Sequence, residues 1–251
     1  MKFINGFRVL GVMSIALLNS CSNLPAFINS EKSVIQIEKN DSEITPKLLT
    51  PLQSKANALQ ALPNLYKEQA DEPKVSLSLQ VVDQFQGALA LKGQGKSAQA
   101  KQVFMTLSEQ HPDLSGIWLQ LALLIKEQNQ GDAEQRHKDM SRYLHHAISA
   151  NSLNYLAHNE LAMILRQQGQ FQQALSHYEL ALKSWPAFAE GYLNRGMLYD
   201  LYMGEKSLAL DDYELYKALS NDSSRQLKGW IIDLQRQIKR AQQVTQSGAI
   251  L

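Results

Sequence analysis

The sequence contains a single cysteine, Cys21, so no disulfide can close within the chain. Long apolar runs are equally scarce. The one at Val9 to Leu18, behind Lys2 and Arg8, is too short to span a bilayer stably, and residues 1–20 read as a secretory signal peptide. Excess charge of either sign is missing too. Of 25 Lys and Arg against 24 Asp and Glu, removal of Lys2 and Arg8 leaves 25 − 2 = 23 basic residues and a net charge near −1. That balance implies no strong attraction to nucleic acid or to anionic lipid. There is no HExxH or GxSxG segment and no convincing acid pair. Gly93-Gln94-Gly95-Lys96-Ser97 ends like a phosphate-binding loop, but Ala90 replaces its first glycine, and the segment joins helices instead of following a buried strand. His145 and His146 are adjacent and point apart, and His137, eight residues earlier, completes no pair at i and i+4. No catalytic residue, metal site or resident cofactor is expected.

Proline is concentrated at one end. Pro25, Pro46, Pro51, Pro63 and Pro73 are five of the seven, so no long helix can form across residues 21–74, which read as a tether. Through Thr50 this tether mixes Ser, Asn, Lys and Glu without apolar periodicity. Its second half is less polar: Leu59, Leu62, Leu65 and Tyr66 suit a short amphipathic helix that packs on the first repeat or meets a partner.

What is present, and in quantity, is a repeated helical hairpin. In Tyr155 to Phe188, counting from Tyr155, Leu161, Ala162 and Leu165 fall at positions 7, 8 and 11, Gly169 at 15, Ala174 at 20, Tyr178 at 24, Ala181 at 27 and Pro186 at 32. Small Ala162 and Ala174 permit two antiparallel helices to approach closely, and Pro186 stops the second. Val81 to Leu114 repeats the pattern with Ala88, Leu91, Gly95, Ala100, Phe104 and Pro112, departing at Gln84 and Gly87. Ser115 to Asn154 carries Trp118, Leu121, Ala122 and Ile125, then Met140, Leu144 and Ala147, with six extra residues near Asn129 to Arg136. Ala189 to Asp222 carries Tyr192, Gly196 and Tyr199, then Ala209, Tyr213 and Tyr216 after a one-residue insertion before Gly204, with Arg195 at a normally apolar position. This spacing closely resembles the tetratricopeptide repeat, with His158 where that repeat often has tryptophan. The resemblance implies an all-α solenoid of about four hairpins (81–114, 115–154, 155–188 and 189–222) within residues 75–222.

A stack of hairpins ends on an exposed apolar face. Residues 223–243, opened by a cap at Asp222 or Ser223, carry Leu227, Trp230, Ile231, Leu234 and Ile238 on one stripe, which suits a capping helix; the alternative is a homodimer centred on Trp230. Residues 244–251 read as a frayed tail.

The amino terminus also has a family likeness. Leu18-Asn19-Ser20-Cys21 resembles the lipobox of bacterial lipoproteins, although Asn19 is uncommon there. The resemblance implies a covalent lipid on Cys21 as membrane anchor, and Ser22 after it implies an outer-membrane lipoprotein facing the periplasm. The alternatives are an ordinary cleaved signal or an uncleaved anchor.

In the repeat family, positions 2, 5, 6, 9, 12 and 13 of each hairpin line a concave groove. Carried onto this sequence they nominate Phe85, Leu89 and Lys92; Leu119, Gln120, Leu123 and Lys126; Asn159, Glu160, Met163 and Arg166; and Leu193, Asn194, Met197 and Asp200. Leu89, Leu123, Met163 and Met197 at position 9 would form an apolar line flanked by amides and cations, a surface for a protein or peptide partner. The bland reading is a line that is solvated or covered by the chain's own tether. The expected function is a lipid-anchored periplasmic adaptor supporting an envelope complex, with a self-associating structural lipoprotein as alternative and a peptidoglycan- or peptide-acting enzyme third.

Overall fold

A computed structural model of the protein describes residues 50–71, 77–128 and 131–248, and every structural statement below concerns those residues. The expected signal peptide, Cys21 and the first part of the expected tether lie outside them. The order is α1 (Pro51–Gln60), α2 (Leu65–Asp71), α3 (Leu79–Gly93), α4 (Ser97–Gln110), α5 (Ser115–Gln128), α6 (Ala133–Ala150), α7 (Tyr155–Gln167), α8 (Phe171–Ser184), α9 (Ala189–Leu198), a π-helical turn (Tyr199–Met203), α10 (Lys206–Ser220) and α11 (Arg225–Gly248), with no strand. None of these helices is long and apolar enough to cross a membrane.

Several helices begin and end for a local reason. Ser78 Oγ accepts from the Val81 N–H, Asp132 Oδ2 from Gln135 and Asn154 Oδ1 from Ala157, so three first turns are capped by side chains. The turns inside hairpins use glycine at positive φ: Gly95 at 74°, Gly169 at 76° and Gly204 at 74°. There the Lys96 N–H reaches back to Leu91 O at 2.9 Å and Gln170 to Leu165 O at 2.8 Å, bonds that close a helix on a left-handed residue.

Helices pair as α3–α4, α5–α6, α7–α8 and α9–α10, and successive pairs stack into an all-α solenoid. Contact within pairs runs through residues with little or no side chain. Ala88, Ala100, Ala122, Ala147, Ala162, Ala174 and Ala209 are all fully buried, with Phe104, Leu144, Tyr178 and Tyr213 filling the space beside them. Four of the six extra residues of the second hairpin lengthen α6 to 18 residues against 14 for α4 and α8, and, against the third hairpin, the other two add one residue to the end of α5 and one to the α5–α6 connection. The single insertion of the fourth is taken up by the π-helical turn, which winds one extra residue into its hydrogen-bonded ring.

Arg195 finds an equal match. Its guanidinium makes two bonds of 2.8 Å to the Asp212 carboxylate on α10, and the rings of Tyr192 and Tyr199 lie within 6 Å of it. At the end of the stack α11 lays Leu227, Ile231 and Leu234 against α10, with the Trp230 ring 5.6 Å from Tyr213. Trp230, on which self-association would turn, is therefore packed within its own chain. The cap of α11 is Ser224, whose Oγ accepts from Leu227, instead of Asp222 or Ser223; Asp222 holds the Ser224 N–H. The helix continues through Gly248, so 244–248 belong to it.

The second half of the expected tether is an ordered arm. Pro63 stands in the break between α1 and α2, so one amphipathic helix becomes two. They settle on the third and fourth hairpins, not the first. Leu52, Leu59 and Tyr66 join a cluster with Tyr155, Leu182, Phe188, Tyr192 and Leu215, while Leu62 stays 47% exposed. Tyr66 is 1% exposed, edge-on to Tyr155 at 6.0 Å, and its hydroxyl accepts from Asn154 Nδ2 at 3.4 Å. A buried side chain of this size contributes about 1.5–3 kcal/mol relative to exposure, enough to make it the arm's main fastening.

The close approach of α9 and α10 is checked by one methyl group. A Cβ on Gly196 would lie 2.8 Å from two ring atoms of Tyr213, whereas one on Gly87, mid-helix in α3, meets nothing within 4 Å. Gly196→Ala is expected to destabilise the fold by about 1–3 kcal/mol and Gly87→Ala to leave it unchanged or stabilise it by about 0.5–1 kcal/mol, read by denaturant melts.

Candidate groove site

The first helices of the hairpins, α3, α5, α7 and α9, line one side of the stack, and between them lies a cavity of about 480 Å³. Its lining is Lys92 from α3, Leu119, Gln120, Leu123, Lys126 and Glu127 from α5, Tyr155, Leu156, Asn159 and Glu160 from α7, and Trp185, Phe188 and Glu190 from the α8–α9 turn and the start of α9. Seven nominated residues thus converge: Lys92, Leu119, Gln120, Leu123, Lys126, Asn159 and Glu160.

Several of them do something other than present a free side chain. Lys92, 8% exposed, donates to Gln120 Oε1 at 3.0 Å and pairs with Glu127 at 3.0 Å. Leu119 and Gln120 are each 1% exposed and form the floor. Asn159 Oδ1 accepts from Asn194 Nδ2 at 3.0 Å, tying α7 to α9, and Arg166 donates to the Asn194 carbonyl at 3.4 Å. Lys126 Nζ lies 2.8 Å from Glu160, across the gap between α5 and α7. Nominal cations and amides of the groove are therefore largely engaged with one another.

Phe85 is a correction. It is fully buried, edge-on to Phe104 at 5.4 Å, because at this end of the stack position 5 turns into the α3–α4 hairpin itself. Asp200 is a second: it lies in the π-helical turn and bonds Lys206 at 2.7 Å. The apolar line at position 9 is a third. Leu89, Leu123 and Met163 are half-buried against the main core and Met197 against the carboxy-terminal cluster together with Leu193. Only Leu123 faces the cavity; Met163 lines a smaller neighbour, and the Lys126–Glu160 pair borders both.

The structure also supplies residues that were not nominated. Leu156 and Glu190 at position 2 and Glu127 at 13 stand where the groove rule already pointed. Trp185 and Phe188 do not, since they belong to the turn between hairpins. With Tyr155 they form an aromatic wall: Tyr155 lies 4.9 Å from Trp185 and 4.8 Å from Phe188, edge-on to both. These three rings pack the arm through Tyr66, Leu52 and Leu59 and line the cavity as well, yet no arm side chain lines it. The arm backs the aromatic wall and leaves the cavity open.

Its electrostatics follow from the pairing. Glu127 and Glu160 neutralise Lys92 and Lys126, which leaves Glu190 with no hydrogen bond or ion pair among the described residues. Burial raises the Tyr155 hydroxyl to about 12, so it stays a neutral donor. The cavity is thus apolar at its centre with one unneutralised carboxylate at its rim. No group of three or more His, Cys, Asp or Glu among the described residues is placed to hold a metal ion.

No protein-family model matches the sequence, and no curated protein does. Solved structures are similar in fold. The crystal structure of MamA protein has 16% identity and a TM-score of 0.50, covering 67% of this chain and 93% of that one. MamA 41-end from Desulfovibrio magneticus RS-1 has 10% identity and a TM-score of 0.50, covering 68% and 98%. A tetratricopeptide repeat protein from Parabacteroides merdae ATCC 43184 has 14% identity and a TM-score of 0.51, covering 66% and 64%. With the hairpin geometry, these show that the chain has the tetratricopeptide-repeat fold.

One titrating pair sits inside the third hairpin. His158 is buried in the place often taken by tryptophan; its Nε2–H donates to Ser152 O at 3.0 Å, so its bare Nδ1 accepts from His177 Nδ1–H at 2.8 Å. Burial lowers both pKa values, and for His177 the neighbouring His158 and His145 lower it further, to about 4. Both rings are neutral in either state above about pH 6.5. Between about 6.5 and 4 the unfolded chain binds the extra protons, so folding stability falls as pH falls. Melting temperatures measured from about pH 7 to 4.5 are expected to drop less steeply for His177→Gln than for the unsubstituted chain; equal slopes would remove the pair from this account.

Proposed function

We propose that the protein is a lipid-anchored scaffold that holds an extended segment of a partner polypeptide in the cavity between α5, α7 and the α8–α9 turn. The observation that carries this is the cavity itself: about 480 Å³ over a floor of Leu119 and Gln120, with Leu123, Leu156 and an aromatic wall around it, flanked by ion pairs and one unneutralised Glu190. Such a lining suits an apolar or aromatic side chain with a basic group beside it. Tetratricopeptide-type folds serve chiefly in protein–protein interaction, and the fold alone selects no partner. The lipobox-like Leu18-Asn19-Ser20-Cys21 supports lipidation and a periplasmic, outer-membrane setting, where a scaffold would serve the assembly or regulation of an envelope complex.

A photo-crosslinking residue placed at Leu123 in cells is expected to trap a partner that Leu156→Glu in the same chain no longer captures, while a probe at the exposed Ser176 on α8 does not trap it. The same adduct from Ser176 as from Leu123, or an adduct indifferent to Leu156→Glu, would show that the groove is not the binding site.

For the anchor, Cys21→Ala is expected to convert a protein that needs detergent for extraction into one released from membranes by high salt. A variant that still requires detergent would mean that the apolar segment Val9 to Leu18, and not a lipid, holds it.

A further inference from the structure

The near-neutral net charge conceals a strong local segregation. Helix α11 carries Arg225, Lys228, Arg236, Lys239 and Arg240 against one Asp233, so it holds +5 − 1 = +4 of a whole-chain charge of +1, and everything else sums to +1 − 4 = −3. Helical geometry places the five cations together. Arg225, Lys228, Ile232, Arg236 and Lys239 recur at steps of three or four residues, with Arg240 beside them, so they occupy the face opposite buried Leu227, Ile231 and Leu234. All five cations are exposed, and none makes an ion pair or a side-chain hydrogen bond among the described residues. Asp233, at the edge of the stripe, bonds Gln237 Nε2 at 2.6 Å. The stripe runs about 22 Å along the helix.

We infer that this face docks the carboxy-terminal end of the solenoid on an anionic phospholipid bilayer. A basic stripe on the outside of a helix whose apolar face is already spent within the fold has no internal task, and its charge complements acidic headgroups. Ile232, 46% exposed, stands among the cations where an apolar side chain can enter the headgroup layer. Nucleic acid is disfavoured because the stripe offers no ring for base stacking: the only aromatic of α11, Trp230, is turned against Tyr213. With −3 on the remainder, the molecule is a dipole that an anionic surface attracts at α11 and repels elsewhere, which fixes orientation. The inference stands apart from the groove reading and does not require a lipid on Cys21.

The test uses the full chain with Cys21→Ala and Ile232→Cys, labelled at the new thiol with an environment-sensitive fluorophore. Vesicles of phosphatidylglycerol and phosphatidylcholine are expected to shift its emission to the blue, vesicles of phosphatidylcholine alone are not, and about 0.5 M salt reverses the shift. Inserted residues 9–18 would bring the chain to both kinds of vesicle, so the label and not total binding is the readout. Adding Arg236→Gln, Lys239→Gln and Arg240→Gln is expected to raise the lipid concentration for half-maximal shift on the order of a hundredfold. The melting temperature should not change, since all three are exposed. An equal shift with neutral vesicles, no shift with either, or an equal response to duplex DNA at matched phosphate would each overturn the inference. Loss of the groove crosslink with the shift intact, or the reverse, separates this failure from that of the scaffold reading.

Discussion

The closeness of two helices within each hairpin is the constraint on which the structure rests. Ala88 against α4, Ala162 against α8 and Gly196 against the Tyr213 ring let paired backbones approach until Phe104, Tyr178 and Tyr213 close the gaps beside them. Everything else is placed by that separation. If a hairpin opened, its first helix would shift against its neighbours, and the span between Lys126 and Glu160 on successive hairpins would no longer hold at 2.8 Å. The groove is a consequence of packing on the far side of the same helices, with no fastening of its own comparable in energy. Its Lys126–Glu160 pair, with the lysine exposed, is worth about 0–1 kcal/mol, whereas loss of a core side chain costs several.

Where the fourth hairpin breaks the repeat pattern, it does so with compensation. Arg195 at a normally apolar position would be a buried cation. With Asp212 at 2.8 Å on both nitrogens and two tyrosine faces around it, burial is matched by pairing, and the guanidinium is held more firmly protonated than usual by that carboxylate, against the effect of desolvation. Desolvation acts more strongly on Asp212 itself, raising its pKa despite the arginine. The extra residue before Gly204 is spent in one π turn, so the register of α10 on α9 is preserved. His158 follows the same logic: a ring that is smaller than tryptophan recovers stability by bonding Ser152 and His177 on both nitrogens.

Much of this was legible because it is local and periodic. Small residues at positions 8 and 20, glycine at the turn and proline after the second helix each report on contacts within some thirty residues of chain, and spacing alone exposes them. What escaped is long-range or lies between periodic segments. Tyr66 meets Asn154 across 88 residues, and nothing in Leu59 to Tyr66 says that the ledge of Leu182, Phe188 and Leu215 is a better fit than the first hairpin. Trp185 and Phe188 sit in a turn, where helical position numbers assign no face. Phe85 was misplaced because a position rule assumes a preceding repeat, and in α3 the same position faces Phe104. The basic face of α11 was hidden by summation: +4 and −3 cancel in a net charge, though they lie on different parts of the molecule.

The arm and the groove are coupled through shared rings. Tyr155 receives Tyr66 on the arm side and, with Trp185 and Phe188, forms the wall on the cavity side, so the wall's orientation depends on both contacts. Arm release would uncover Leu182, Phe188 and Leu215 and free Tyr155 to turn, changing the cavity without touching its floor of Leu119 and Gln120. Any displacement of the arm would therefore reach the groove through Tyr66, by altering how well one buried ring is seated against Tyr155.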